Sequence, residues 1–231
     1  MAVERLSVIP RYAVPAAGLV IAAAGTLGVA GLADSAKESN GLAAFDPGLT
    51  ADAVSARTTP LTDLARALTF LGDVPVLSLL AVVAAALLWQ RTRSLRAPGL
   101  LMIAMAGSAV LTYGLKLVIG RHRPGVAFVL GPIDTSFGFP SGHTLNSTVF
   151  LGTLVGLAWV GLRSGAARIA VASCALLLSV GIGSSRIYLG YHWVTDVLAG
   201  WLIAATWLTI VGTAAYLTRH RPGPTDLPPA S

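Results

Sequence analysis

The sequence predicts an all-α polytopic membrane protein: a bundle of six transmembrane helices with a short surface helix in the first outer loop. Three observations predict it. Of 231 residues, 55% are hydrophobic and 11% charged, whereas a soluble domain carries about 25% charged residues. Mean hydropathy is +0.74. The apolar residues gather into six runs, each of roughly the 17–25 residues that a helix needs to cross a bilayer.

The first run, residues 13–33, follows Arg5 and Arg11 and has no cleavage site before Asp34, so it reads as a retained helix. The second, 74–90, is the shortest. Its Pro75 falls at the start, where a missing N–H does no harm. Runs 98–119, 144–162, 168–185 and 193–217 complete the set, with Lys116 and Asp196 lying only near run ends. The loop from Asp34 to Asp73 is the longest. Within it Leu61, Leu64, Leu68 and Leu71 recur at helical spacing, with Asp63 and Arg66 off that stripe, as in a helix lying at a membrane surface. Residues 1–218 therefore form one membrane domain, and the Pro-rich stretch within 219–231 reads as a disordered cytoplasmic tail. Gly152 and Gly156 form a GxxxG pair that marks close helix packing. Cys174, the lone cysteine, is a small apolar packing residue.

The chain is basic, with 16 Lys and Arg against 10 Asp and Glu. Nucleic-acid binding does not follow, because the cations are not gathered on a soluble basic face. Six spans put both termini on one side. That side holds nine of the cations, including those of the short loops around Arg91–Arg96 and Arg163–Arg168, against Glu4 and Asp226. The other side holds seven cations and eight acids. The positive-inside rule then makes the termini cytoplasmic and the opposite face extracytoplasmic, in the plasma membrane.

Three stretches on that opposite face carry the unusual polar residues: Lys116–Pro124, Phe139–His143 and Ser185–Asp196. Charges at the edge of hydrocarbon are costly and mark function. Lys116, Arg123 and Arg186 leave the ends of spans and converge on one oxyanion, with Arg offering forked donors and Lys a point charge. His143 opens the fourth span behind Ser141 and Gly142. There a helix N-terminus favours an anion and glycine lets backbone approach it. His192 and Asp196 stand four residues apart, so the carboxylate fixes one ring nitrogen and frees the other to attack. These parts fit phosphoryl transfer through a phosphohistidine. His192 is the nucleophile and His143 the acid and then the base, while the cations and Ser141 stabilise the oxygens. Two His and an Asp also suit zinc, but three nearby cations would repel it. Arg121 reads either as a ligand for a second phosphate or headgroup or as a solvated loop residue. His122 and Lys37 read as loop residues, and Asp134 as a loop residue or a gate to the site.

The three stretches resemble the motifs of the type 2 phosphatidic acid phosphatase family: Lys-x6-Arg-Pro at Lys116, Arg123 and Pro124, Pro-Ser-Gly-His at Pro140–His143, and Ser-Arg-x5-His-x3-Asp at Ser185, Arg186, His192 and Asp196. All spacings match. The resemblance implies hydrolysis of lipid phosphates or diphosphates without metal or cofactor. It implies His192, Asp196 and His143 as catalytic residues, and Lys116, Arg123, Ser141, Gly142, Ser185 and Arg186 around the phosphate. Vanadium-dependent haloperoxidases share the layout but are soluble. The expected partners are membrane lipids and a lipid phosphate substrate: an isoprenoid diphosphate such as undecaprenyl diphosphate, with phosphatidic acid and phosphatidylglycerol phosphate as close competitors. A non-catalytic lipid-phosphate binder or flippase on the same bundle is the alternative. Intact His143, His192 and Asp196 weigh against it, because binding alone needs only cations.

Overall fold

Helices form where the apolar runs lie, and they end where backbone chemistry stops them. A computed structural model describes residues 13–219, which contain no strand. In chain order the helices are α1 (Ala13–Glu38), α2 (Asp46–Ser55), α3 (Thr59–Gly72), α4 (Val74–Thr92), α5 (Arg96–Ile119), α6 (Gly142–Gly161), α7 (Gly165–Tyr188) and α8 (Val194–Arg219). Six of them, α1 and α4 to α8, are long and apolar enough to cross a membrane. The chain is a multi-pass membrane protein. Most of the tail assigned to 219–231 lies outside the described residues.

The helices overrun the apolar stretches because polar residues end hydropathy before they end a helix. α1 continues five residues past 33, through Asp34 and Lys37, until Ser39 takes a left-handed φ of 54°. α5 ends on Gly120, whose φ of 65° and N–H bond to the Lys116 carbonyl make a left-handed cap. Consecutive spans alternate in direction. The last turns of α1, α5 and α7, the first turns of α4, α6 and α8, and the long loop of α2 and α3 therefore share one end of the bundle.

α6 and α8 are the central helices. One third of their apolar windows is buried, against 11% in α1, α4 and α7. The core joins Ala104 of α5, Leu145 and Val149 of α6, Ala199 and Ile203 of α8, and Phe139 from the loop before α6. The outward faces carry exposed Leu117, Val160 and Leu177, which suit lipid. Between helices in lipid there is little hydrophobic drive, so small residues and hydrogen bonds set the packing. Trp207 lies over Gly107 and donates to the Ala104 carbonyl at 2.9 Å. Trp201 and Thr148 both reach Ser179 Oγ, at 3.1 and 2.6 Å. A Cβ on Gly200 would sit 3.1 Å from the Ser141 carbonyl, so α8 lies directly on the start of α6. Of the GxxxG pair, Gly152 receives Leu208, while nothing lies within 4 Å of a Cβ on Gly156. Only half of that motif is a packing contact.

The loop between the first two spans holds two α-helices where one was expected. α3 covers the predicted leucine stripe, but that stripe is not its packed side. Ala65 and Gly72 are buried and Leu68 meets Gly181 of α7, whereas Leu61, Leu64 and Leu71 are exposed. Small residues let α3 sit close on α7, and three of the four leucines turn outward. Arg57 ties the outer layer together, donating to the carbonyls of Tyr188 at 2.9 Å and Phe128 at 2.6 Å.

Gly190 joins this layer to the segment that carries His192. Its φ is 78°, and a Cβ there would lie 2.0 Å from the Phe128 carbonyl oxygen. Left-handed backbone alone costs a non-glycine residue about 1–2 kcal/mol. Gly190→Ala is therefore expected to destabilise the protein by about 2 kcal/mol or more, read as a lowered Tm of the purified protein in detergent.

Candidate active site

The left-handed cap at Gly120 turns the chain sharply, and the residues after it diverge. Arg121 enters the protein, where its side chain is 9% exposed. It pairs at 2.7 Å with Asp46 Oδ2 and at 2.7 Å with Asp196 Oδ1, and it donates to Thr195 Oγ1 at 2.7 Å. Neither expectation for Arg121 holds: it is not solvated, and its guanidinium is occupied by two buried carboxylates. Arg123 turns the other way. It donates to the Tyr191 carbonyl at 2.8 Å, to the Ser136 carbonyl at 2.7 Å and to Asp134 at 2.6 Å. Lys116, in the last turn of α5, donates to the Phe137 carbonyl and lies 3.4 Å from Ser136 Oγ. Asp134 and Ser136 thus brace the cations of the first motif, a role beyond that of a plain loop acid.

Asp196 organises the third motif through a helix cap. It is the third residue of α8, and Oδ2 accepts the N–H of Trp193, the residue just before the helix, at 3.1 Å. This is the reciprocal half of a capping box. His192 therefore precedes the helix instead of sharing its face, yet the same oxygen lies 3.3 Å from its Nδ1. Asp46 supplies a second cap from outside α8: Oδ1 accepts the N–H of Thr195 at 3.0 Å, and Oδ2 accepts from the Thr195 hydroxyl. Carboxylates at a helix start satisfy orphan donors and complement the dipole.

The imidazole of His192 is 1% exposed. Arg123 Nη1 lies 3.1 Å from Nε2. A guanidinium only donates, so Nε2 must present a lone pair, which puts the ring proton on Nδ1, facing Asp196. Burial, then Arg123, Arg186, Lys116 and His143, hold His192 well below the ordinary imidazole range. That tautomer turns the Nε2 lone pair toward Arg123. Burial also lowers Arg123, against Asp134. Burial raises Asp134, but the Ser136 N–H and Arg123 outweigh it and hold the carboxyl low.

Arg186, buried in the last turn of α7, donates to Thr69 Oγ1 at 2.7 Å and stacks 4.0 Å from the Tyr191 ring centroid. Its Nε is buried without a hydrogen-bond partner among the described residues, an arrangement that costs about 1–3 kcal/mol. Ion pairs among the described residues give Arg123 a carboxylate but give none to Lys116 or Arg186. His143, at the start of α6, places Nε2 2.7 Å from Asp73.

The structure thus gathers Lys116, Arg123, His143, Arg186, His192 and Asp196 at one end of the bundle. Ser141 is buried, with its N–H on the Asp196 carbonyl at 3.0 Å and its Oγ accepting from Thr144. Ser185 donates its hydroxyl to Ile182 within its own helix at 2.7 Å, and the space beside Gly142 is taken by Thr112. His122 offers its carbonyl to the Trp193 indole at 3.0 Å. Among the described residues, no three His, Cys, Asp or Glu side chains come together as metal ligands. Sequence reasoning missed Asp46, Asp73, Thr69 and Tyr191. Asp46 and Asp73 are two of the eight acids on that face, and no spacing singled them out.

Arg121→Met would leave two buried carboxylates without their cation. Breaking a buried pair this way costs about 3–5 kcal/mol. The expected result is a large drop in Tm together with lost turnover, while Arg121→Lys retains part of both.

Comparisons with known proteins agree with this geometry. The PAP2 superfamily model matches residues 97–220. A Bacillus subtilis protein named phosphatidylglycerophosphatase B is 31% identical over 72% of this chain and 81% of its own length. A Sulfolobus acidocaldarius protein named undecaprenyl-diphosphatase is 28% identical over 56% of this chain, which spans 59% of that relative. The crystal structure of a transmembrane PAP2-type phosphatidylglycerolphosphate phosphatase from Bacillus subtilis superposes with a TM-score of 0.78, at 27% identity, over 87% of this chain and 98% of that one. With a family model covering more than half of its residues and a relative of this identity, the chain belongs to the PAP2 superfamily.

Proposed function

We propose that this protein is a membrane lipid phosphatase that works through a phosphohistidine at His192 and needs no metal. One observation carries the reading. A buried imidazole presents its Nε2 lone pair beside Arg123, in a cluster where Lys116 and Arg186 have no carboxylate partner among the described residues. Such a cluster suits a tetrahedral oxyanion, and the lone pair suits an attack on phosphorus.

In this scheme His192 Nε2 bonds to phosphorus as the bond to the lipid oxygen breaks. His143 gives that oxygen a proton, and Asp196 stabilises the imidazolium formed. His143 then takes a proton from the water that hydrolyses the phosphohistidine. Lys116, Arg123 and Arg186 take up charge on the equatorial oxygens, with Ser141, Gly142 and Ser185 around them. The charge asymmetry of the loops supports cytoplasmic termini and a site at the outer face of the plasma membrane. On that face α3 lies at the membrane surface, with Leu61, Leu64 and Phe70 toward lipid. The likeness to the Bacillus subtilis phosphatidylglycerophosphatase covers more of both chains than the likeness to the archaeal diphosphatase. Phosphatidylglycerol phosphate is therefore the first substrate to test in a panel, followed by isoprenoid diphosphates and phosphatidic acid.

Purified protein in detergent is expected to release phosphate from such lipids in the presence of EDTA. His192→Ala should lower kcat by about three orders of magnitude or more. Unchanged turnover in that variant would remove His192 as nucleophile, and loss in EDTA reversed by Zn2+ would require a metal mechanism. A protein that binds these lipids tightly but releases no phosphate from any of them would instead be the non-catalytic binder.

A further inference from the structure

The site holds a second histidine–carboxylate pair, and its carboxylate comes from outside the three motifs. Asp73 is the single residue between α3 and α4, at the N-cap position of α4. Its N–H donates to the Phe70 carbonyl at 3.2 Å, and its own carbonyl accepts the N–H of Leu77 at 2.9 Å. Both helices therefore fix its backbone. An aspartate at an N-cap ordinarily turns its carboxylate onto the N–H groups of the first helical turn. Asp73 makes no such bond. Its carboxylate turns instead onto His143, with Oδ1 2.7 Å from Nε2.

The ring is held from a second direction. A Cβ on Gly72 would lie 3.1 Å from His143 Cδ2 and 3.3 Å from its Cβ, so the end of α3 rests on the imidazole. The charged groups that act on His143 are Arg186 of α7, Arg123 after α5, and Asp73. Burial and the two guanidiniums oppose a proton on the ring, and the carboxylate favours one. The other ring nitrogen, Nδ1, has no hydrogen-bond partner among the described residues.

We propose that Asp73 is the positioning residue for His143, holding the ring in place and supplying the negative charge that lets it carry a second proton beside Arg186 and Arg123. This rests on the lipid phosphatase reading above and adds to it the origin of the general acid. As His192 Nε2 forms its bond to phosphorus, the ester P–O bond breaks and its electron pair passes to the leaving oxygen. That oxygen takes the proton of His143 Nδ1, which leaves His143 neutral and ready to accept a proton from water. Asp73 touches neither substrate nor phosphorus. It acts through the ring.

A general acid matters in proportion to how badly the leaving group needs a proton. The test is therefore kcat/KM, which reads the first chemical step, for a lipid phosphate, phenyl phosphate and 4-nitrophenyl phosphate. Asp73→Asn should lower kcat/KM about tenfold or more for the lipid phosphate and for phenyl phosphate, within the range of general acid catalysis. The 4-nitrophenyl ester departs unaided as its anion and should change by less than about twofold, since it needs no general acid. Asp73→Glu should restore the lipid activity. Asp73→Ser, which can still cap α4, serves if the Asn variant folds poorly. Equal losses on all three substrates would mean a structural role, and no loss on the lipid would mean no role; either overturns the proposal. His192→Ala separates the two levels. It should abolish turnover of every ester, and its failure to do so counts against the lipid phosphatase mechanism, not against the Asp73 assignment alone.

Discussion

Asp196 is the group on which the site depends. It is fully buried, and both of its oxygens are bound: Arg121 on one, the Trp193 N–H and His192 on the other. Its carbonyl meanwhile accepts the N–H of Ser141. One residue therefore touches all three motifs. An ionised carboxylate in such a place is tolerable only when paired and hydrogen-bonded. Arg121 supplies the charge and is itself neutralised by Asp46 on its far side. The chain carboxylate–guanidinium–carboxylate–imidazole runs from the loop between α1 and α4 to His192. It explains why α2 must fold against the bundle for His192 to be oriented.

The membrane fold makes this affordable through helix ends. Each long span brings one terminus to the same end of the bundle, where the first N–H groups of α6 and α8 need partners from outside their own helix. Aspartates bind the donors of α8, and a glycine lets α8 lie on the start of α6. The cations arrive on the last turns of α5 and α7 and on the loop after α5, where a long side chain reaches inward while its backbone stays near the polar face. Two of those cations have no carboxylate partner among the described residues, and on the reading proposed above that imbalance is what an oxyanion would fill.

Much of this was legible in the sequence, for physical reasons. Six apolar runs can do little else than span a membrane, and the helices found differ from the predicted spans mainly at polar ends such as Asp34–Glu38. The six charged and imidazole side chains of the motifs meet because their spacings place them on facing helix ends. What stayed hidden is what couples distant loops. Arg121 sits two residues before Arg123 in the same motif, yet Gly120 sends it inward to Asp46, a partner 75 residues away. Asp73 resembled a loop boundary, because an N-cap aspartate has an ordinary local explanation. The leucine stripe of α3 identified a helix but not its packed face, since small residues, Ala65 and Gly72, made the contact.

The central claim is that His192 Nε2, held as a lone pair by Asp196 on one side and Arg123 on the other, is the atom that bonds to phosphorus. Rapid quenching of the full-length protein during turnover of a 32P-labelled lipid phosphate tests it most directly. The account predicts a covalent phosphoenzyme that is stable in alkali, labile in acid, and mapped to His192 by mass spectrometry. Label on another residue, or phosphate release with no protein-bound label at any quench time while label is trapped readily in a known phosphohistidine control, would contradict it.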